Sequence, residues 1–273
     1  ELTVICGNNG QGKTNLLEAV AYLSTASSHR ARYDREMIML GVDGAFVKGE
    51  VRSRARDFTL EARLNRGARR QLWSNGVRLK TAGELSGILN TVLFCPEDLY
   101  LIREGGAARR RFLDSAICQL RPRYAEALAS YTRAYEHKTR ILRDAEEHPD
   151  LLNALPEFNA QLVHLGAVLI HYRAQFAQAL SRYAAAHHRE CSGGREQLGL
   201  RYETVSTVQD PLGSVQDIFA SLLKHQESHR RAELDSRQCL SGPHKDDLVV
   251  ELDGQSAKQF GSQGQTRTAA LSL

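Results

Sequence analysis

A glycine-rich segment near the start of the chain reads Gly7-Asn8-Asn9-Gly10-Gln11-Gly12-Lys13-Thr14. It fits the pattern G-x-x-x-x-G-K-[ST] of a phosphate-binding loop that joins a strand to a helix. Glycine permits positive φ, so several backbone N–H groups can face one phosphate, and the N-terminus of the following helix adds partial positive charge. We expect Lys13 to contact the β- and γ-phosphates of a nucleotide and the Thr14 hydroxyl to bind Mg²⁺.

A second motif reads Phe260-Gly261-Ser262-Gln263-Gly264-Gln265, with Ser262 lying 248 positions after Thr14. It resembles the S-G-G-Q signature of ABC ATPases, in which the signature of one subunit binds the γ-phosphate held by the phosphate loop of its partner. The Ser262 hydroxyl, the small Gly264 and a helix expected from Thr266 suit an anion. The resemblance therefore implies a site in trans formed by Ser262, Gln263, Gly264 and Gln265. The segment 191–194 is closer to the signature in letters, but a strand-like segment follows it, so we interpret it as a surface turn.

The elements between these motifs follow from the spacing of apolar residues. Strands are predicted at 2–6 and 91–94, and the helix after the phosphate loop is expected to bury Leu16, Leu17, Val20, Ala21 and Leu23. Residues 46–51, 58–64, 71–74 and 77–80 indicate an antiparallel meander with a hairpin turn at Asn75-Gly76. Residues 106–188 have a helical pattern, 198–203 return to a strand, 249–252 begin a second hairpin, and 266–273 form a helix.

Composition excludes some classes of protein. The chain has 273 residues, of which 42% are hydrophobic and 25% charged, an ordinary globular balance. It contains no apolar run of 18 residues, so we expect no membrane-spanning segment and no membrane partner. Five scattered cysteines without a CxxC pair favour a reducing, cytoplasmic location. The first residues read as a strand without an initiator Met, which suggests a fragment.

Arginines are concentrated in two segments, 52–70 and 103–123, although the net charge is only +4. A basic stripe is typical of nucleic-acid binding, and a solvated face balanced by nearby acids is the alternative. The candidate DNA-binding residues are Arg52, Arg54, Arg56, Arg69 and Arg70. Trp73 lies in the same region, where packing on the sheet is favoured over stacking on a base.

Several segments together resemble the RecF family of ABC/SMC-type ATPases. The matching segments, spread over the whole chain, are 10–19, 27–30, 87–94, 96–99, 109–114, 242–248 (Gly-Pro-His-Lys-Asp-Asp-Leu, with Lys245 where the family has Arg) and 261–270. The resemblance implies an α/β fold, the ABC/SMC-type ATPase head, with a mixed sheet, an antiparallel β meander and a helical lid lobe. We expect residues 1–105 with 235–273 to form the ATPase lobe and 106–234 the lid lobe.

The resemblance also implies a function. The chain is expected to bind ATP and Mg²⁺, to form an ATP-dependent homodimer and to act as a DNA clamp at junctions of single-stranded and double-stranded DNA. It would promote recombinase loading with the proteins RecO and RecR and hydrolyse ATP weakly. The paired acids and switch histidine that follow the signature helix in the family have no counterpart here, so the catalytic residue is unknown. An ABC transporter ATPase subunit is the alternative function, and a structural SMC-like head is a third.

Three smaller groups leave alternatives open. Glu97 is placed by the resemblance in a loop that senses Mg²⁺, but it also fits a helix cap after Pro96. The acids at 246–247 fit a turn before a strand better than a nuclease metal site, and we expect His244 and Lys245 near a phosphate or a subunit interface. The segment 187–191 fits a helix end better than a metal site.

Overall fold

The computed structural model describes residues 2–31, 33–53 and 56–273. Packing divides the chain into two compact units. The first comprises Glu1–Leu93 with Cys118–Pro122, and the second comprises Phe94–Ile117 with Arg123–Leu273. The division predicted from the sequence, at 105/106 and 234/235, concerns functional lobes and stays a prediction.

The first unit is built on the predicted meander. Its strands are β1 (Gly44–Arg52), β2 (Asp57–Asn65), β3 (Gln71–Ser74) and β4 (Val77–Arg78), which pair antiparallel in that order. Asn75 and Gly76 connect the last two strands with φ of 50° and 77°, the conformation that a two-residue hairpin turn requires. Alternate residues of β2 are buried, so one face of the sheet faces the core. The meander and its hairpin are confirmed.

Helix α1 (Lys13–Thr25) packs its second half on this sheet. Tyr22 and Leu23 are buried there, and a Cβ on Gly49 would lie 2.7 Å from Leu23 Cδ1, so glycine at position 49 lets the helix approach β1. The predicted apolar face was only partly right. Leu16, Leu17 and Val20 are about half exposed, because α1 turns the face bearing Glu18 and Tyr22 inward.

The two strands predicted at 2–6 and 91–94 are not formed. Both segments are extended and without regular structure, and Leu2 and Val92 are almost fully exposed. A strand forms when its backbone groups pair with a neighbour, and within the described ranges no strand pairs with either segment. Apolar, β-branched residues are therefore not sufficient evidence of a strand at these positions.

The second unit is mainly helical. It contains most of α2 (Gly106–Leu120) and all of α3 (Pro122–Asp144), α4 (Leu155–Cys191) and α5 (Val215–Ser236). Prolines stand at the starts of α3 and α4, where the missing N–H costs nothing. The helical pattern predicted for residues 106–188 is confirmed, and α5 extends the helical region beyond it.

A small antiparallel sheet completes the second unit. It contains β5 (Leu198–Glu203), β6 (Asp247–Leu252) and β7 (Gln255–Ser256), with the β6–β7 turn at Asp253 and Gly254, and is followed by α6 (Ala257–Phe260) and α7 (Gln263–Ser272). One core of this unit joins α4 to the sheet and α7, and another joins α4 to α5. The predicted second hairpin and final helix are confirmed. Every strand pairing in the described part of the chain is antiparallel, so the mixed sheet expected with this fold is not formed there, because the segments 2–6 and 91–94 pair with no described strand.

Among the described residues, no helix combines the length and apolar character needed to cross a bilayer.

Candidate functional site

The phosphate loop opens directly into α1. Gly10 and Gly12 have φ of 80° and 83°, and Gly12 stands in the left-handed conformation just before the helix. The Lys13 side chain folds back over the loop, and its Nζ donates to the carbonyl oxygens of Gly7 at 2.8 Å and Asn8 at 2.7 Å. The loop is therefore wrapped around the ammonium group that we expect to meet phosphate.

The start of α1 is suited to an anion. No side chain caps this helix, so its first N–H groups keep their hydrogen-bonding capacity. The loop residues are exposed, and a Cβ built on Gly10 would meet no atom within 4 Å, which leaves room above the backbone. Thr14 is exposed in the first turn. These residues fit the triphosphate of a nucleotide, with the Thr14 hydroxyl next to it for a divalent cation.

The signature motif forms the start of α7. Ser262 is the N-cap: its hydroxyl oxygen accepts from the Gln265 N–H at 3.2 Å, and Gln265 Oε1 accepts from the Ser262 N–H at 2.8 Å. This reciprocal pair is a capping box, which fixes the loop that precedes the helix. A Cβ on Gly261 would lie 2.5 Å from the Ala257 carbonyl oxygen, so only glycine fits the approach to this loop. Ser262 and Gly264 are exposed at its tip.

The paired acids at 246–247 are not a metal site. Asp247 receives two hydrogen bonds from the buried Arg109 guanidinium, at 2.7 Å and 2.8 Å. Burial raises the pKa of Asp247, but the hydrogen bonds and charge of Arg109 outweigh burial and leave that pKa below its usual value. Asp246 is fully buried against Arg173 and Tyr202, and burial raises its pKa. Each carboxylate thus has its own arginine, as expected for a structural turn.

His244 is enclosed rather than presented to a ligand. Its Nδ1 lies 2.8 Å from the Tyr131 hydroxyl, and its Nε2 lies 2.9 Å from the Cys239 carbonyl oxygen. Burial lowers the pKa of His244 to about 4, so the ring is neutral near pH 7. Lys245 is exposed beside it. The expectation that His244 and Lys245 lie near a phosphate or a subunit interface stays a prediction.

The arginines of the meander divide into two groups. Arg70 Nη1 donates to the Ala26 carbonyl oxygen at 2.6 Å and pairs with Asp34, so it holds the first unit together. Arg66 has a similar role, donating to three backbone carbonyls at 38–42. Four of the predicted DNA-binding residues are exposed, and Arg70 differs from the other three in its backbone and Asp34 contacts: Arg52, Arg56, Arg69 and Arg70. Arg54 lies outside the described residues.

Two further candidates have local contacts. Trp73 is half-buried, and the guanidinium of Arg63 lies 4.8 Å from its ring centroid, as expected for packing on the sheet. Glu97 is exposed in a short 3-10 turn, whose cap is made instead by Asp98, accepting from the Cys95 N–H at 2.7 Å. Its proposed role near Mg²⁺ stays a prediction. Among the residues that the structure describes, no cluster of three or more metal-binding side chains occurs.

Sequence reasoning missed the residues that support the signature helix. Glu196 and His188 contact α7, but Glu196 belongs to no motif in the sequence, and His188 was considered only within the segment 187–191, as part of a helix end or a metal site. The same holds for Arg173, which binds Asp114 and the Pro243 carbonyl oxygen. The one available signal for Arg173 was its place on an otherwise apolar helix face, because a charged residue there is expected to be buried and paired.

Comparison with known proteins identifies the family. The model of the AAA domain matches residues 1–165. The RecF DNA replication and repair protein of Agathobacter rectalis is 40% identical over 276 residues, covering the whole chain and 72% of that protein. RecF of Listeria innocua is 37% identical, covering the whole chain and 73% of its own length, and RecF of Clostridium perfringens is 33% identical with the same coverage.

Solved structures agree with the sequence comparison. The recombination mediator RecF of the RecFOR pathway, solved with an ATP analogue, superimposes with a TM-score of 0.89 at 28% identity, covering 97% of this chain and 71% of that one. The structure described as RecF-ATP gives 0.88 at 29% identity. The α/β ATPase-head fold predicted from the sequence is therefore confirmed, and the chain belongs to the RecF family of ATP-binding DNA replication and repair proteins.

Proposed function

We propose that this chain is the nucleotide-binding core of an ATP-switched DNA clamp that acts as a recombination mediator. The observation that carries the proposal is the contrast between its two glycine-rich helix starts. α1 begins without a side-chain cap behind Lys13, whereas α7 begins with a capped and exposed Ser262. The first suits a triphosphate bound in cis, and the second suits capture of the γ-phosphate held by another subunit. A transporter subunit is not favoured, because the whole chain matches RecF proteins.

ATP binding depends on Lys13 in this proposal. Bound nucleotide would replace the carbonyls of Gly7 and Asn8 as partners of the ammonium, with Thr14 supplying a ligand to Mg²⁺ and Glu97 a second candidate. A charge-assisted hydrogen bond contributes about 1.5–3 kcal/mol, so Lys13→Ala is expected to weaken ATP binding about tenfold or more. Titration calorimetry on the full-length protein measures this. Lys80→Ala removes an exposed lysine of the same unit and serves as the control. Equal affinity in both variants would remove the phosphate-loop assignment.

Dimerisation depends on Ser262. Ser262→Arg adds bulk where the γ-phosphate of the partner would lie, so ATP binding is expected to stay within a few-fold while ATP-dependent dimers disappear. ADP lacks the captured group and is expected to give no dimer even with the unaltered protein, because a ligand shifts an equilibrium only by its differential affinity. Sedimentation velocity with ATP and with ADP measures both.

The matched control concerns helix capping. Ser214 caps α5 as Ser262 caps α7, accepting from the Asp217 N–H at 3.1 Å. Ser214→Arg therefore removes a comparable cap away from the signature and is expected to leave the dimer intact. A dimer that persists in Ser262→Arg would show that residues 260–265 are an ordinary capping turn.

DNA binding is proposed for the exposed arginines of the meander. If Arg52 and Arg56 contact phosphates, log affinity falls with log salt by about 0.9 per contact, and replacing both by Ala flattens that slope. Arg69→Ala is expected to act likewise. Arg70→Ala is expected to lower stability instead, because that guanidinium binds Ala26 and Asp34. An unaltered slope in the double variant would identify the cluster as a solvated face.

The relatives supply the proposed partners. The matched structures are described as mediators of the RecFOR pathway, and we propose RecO and RecR as partners of this protein and junctions of single-stranded and double-stranded DNA as its target. Binding of labelled junction DNA with ATP, with ADP and without nucleotide tests this. Slow ATP hydrolysis would reset the clamp.

A further inference from the structure

A chain of hydrogen bonds runs behind the signature loop. Gln265 Nε2 donates to Glu196 Oε1 at 3.0 Å, while Gln265 Oε1 caps the Ser262 N–H. The other carboxylate oxygen of Glu196 lies 3.2 Å from His188 Nε2. His188 is fully buried, and its Nδ1 lies 3.2 Å from Ser272 Oγ in the last turn of α7. Both ends of the signature helix are therefore tied to the end of α4 and the turn that follows it.

The turn at 191–194 places Glu196. Gly193 and Gly194 have φ of 63° and 75°, and the Gly194 N–H donates to the Arg189 carbonyl oxygen at 2.8 Å, which ends α4 and reverses the chain. Glu196 lies two positions before Leu198, the first residue of β5, and its side chain is about one-fifth exposed. Residues 191–194, whose letters resemble the ABC signature, thus have a structural role next to the signature motif at 260–265.

The tautomer of His188 fits this arrangement. With a proton on Nε2, the ring donates to Glu196, and Nδ1 lies 3.2 Å from Ser272 Oγ, whose one hydroxyl proton can be donated either to Nδ1 or to the Thr268 carbonyl oxygen at 2.8 Å. Glu196 then accepts one hydrogen bond on each oxygen, from His188 and from Gln265. Its carboxylate cannot swing away without breaking a bond in a buried environment, where lost hydrogen bonds are costly.

From these contacts we propose that Glu196 and His188 are positioning residues for the signature loop: they hold Gln265, and through it the Ser262 N-cap, in the conformation that receives the γ-phosphate of the partner subunit. The proposal rests on the proposed function, because it gives the loop its role in trans. It adds Glu196, which lies outside every motif recognised in the sequence, and His188, which the sequence indicated only as part of a helix end, and neither residue touches nucleotide itself.

Exchanging the amide of residue 265 with the carboxylate of residue 196 distinguishes the positioning role from helix capping. Gln265→Glu keeps the capping box, because glutamate is a preferred partner at that position, but it places a second carboxylate about 3 Å from Glu196, the N···O separation in the unaltered protein. Adding Glu196→Gln restores the hydrogen bond with donor and acceptor exchanged, and the new amide oxygen still accepts from His188. In the single variant Glu196→Gln, the amide oxygen accepts from Gln265, and the amide NH2 donates to His188 Nε2 once the ring proton moves to Nδ1, so this change is expected to be tolerated.

The experiment measures ATP-dependent dimerisation of the full-length protein by sedimentation, with ATP affinity of the monomer measured in parallel. Gln265→Glu is expected to weaken dimerisation about tenfold, the size of a coupling between groups in contact, and the double variant to recover most of it. ATP affinity is expected to be unchanged throughout. Glu196→Ala is expected to weaken dimerisation, whereas Glu190→Ala, which removes an exposed acid from the same region of α4, is not.

A second readout does not depend on dimerisation. In the monomer, hydrogen exchange of the 262–266 amides is expected to be faster in Glu196→Ala than in Glu190→Ala. If the unaltered protein forms no dimer with ATP, the proposed function fails while this exchange result still tests the positioning role. If dimers form but the double variant is no better than Gln265→Glu, or exchange is unchanged in Glu196→Ala, the positioning role is wrong.

Discussion

Arg109 offers a stringent test of how the second unit is held together. Its guanidinium is almost completely buried and donates to both oxygens of Asp247 and to the carbonyl oxygens of Leu101, Ile102 and Glu104, at 3.1, 3.0 and 2.7 Å. Five acceptors surround the guanidinium: Nε and Nη2 face the carboxylate and Nη1 faces the three carbonyls, and no other side chain offers that geometry. The residue was predicted from the sequence only as one member of a basic cluster.

Arg109→Met leaves a carboxylate and three carbonyls without their donor. Removing one member of a buried ion pair costs about 3–5 kcal/mol, and we expect the lower end, about 3 kcal/mol, because Asp247 is about one-third exposed and water partly replaces the arginine. Arg109→Lys keeps the charge but has three donors, so two lost hydrogen bonds give about 1–2 kcal/mol. The expected order of stability is therefore unaltered protein, Arg109→Lys, then Arg109→Met.

Urea denaturation followed by circular dichroism at pH 7 measures these differences. Asp247→Asn and the double variant with Arg109→Met complete a thermodynamic cycle, in which the double change is expected to cost less than the sum of the single changes. Arg231→Met is the control, because that arginine is almost fully exposed and its pair with Asp235 is solvated. Equal stability of the lysine and methionine variants would refute the argument from donor number, and additivity in the cycle would refute the ion pair.

Three further outcomes are expected. The folded pKa of Asp247 is lowered, so its contribution to stability is present above its unfolded pKa of about 4 and lost as the pH falls through the folded pKa. The stability difference between the unaltered protein and Asp247→Asn, measured in urea, should be constant from about pH 6 to 8 and shrink below about pH 4; a difference that grows in acid would contradict this. Gly76→Ala places a side chain at φ 77° and should cost about 1 kcal/mol. Asn75→Gly suits φ 50° but removes the acceptor of the Thr59 N–H, which donates to Asn75 Oδ1 at 2.7 Å, so it should also cost about 1 kcal/mol in the same denaturation assay. Gly261→Ala brings a Cβ to within 2.5 Å of the Ala257 carbonyl oxygen, so we expect lower stability and loss of ATP-dependent dimers by sedimentation, and a full-strength dimer would show that the loop tolerates displacement.

Local sequence was sufficient for features that depend on local chemistry. The hairpin at Asn75-Gly76 forms because few other residues accept positive φ at both positions. The phosphate loop and the Ser262 cap are likewise set by residues within a few positions of each other. The helices at 106–188 follow from apolar residues at three- and four-residue spacing.

Features that depend on distant partners were not predictable. The segments 2–6 and 91–94 have the composition of strands, but a strand is defined by the neighbour to which it bonds. Arg70 and Arg109 look like members of basic clusters, yet their acceptors lie 44 and 138 positions away, at Ala26 and Asp247. The neighbours of an arginine in the sequence do not indicate whether its guanidinium binds a carbonyl oxygen or water.

The 37-residue α4 has a mechanical consequence. At 1.5 Å per residue it is about 55 Å long, and its single proline, Pro156, lies in the first turn, where it does not bend the helix. One end packs against α5 and the other carries His188 beneath α7. A tilt of about 10° around the midpoint of a helix of this length moves each tip by about 5 Å in opposite directions. A displacement of α7 that tilted α4 as one rod would therefore be accompanied by an opposite displacement at the Leu155 end of the helix.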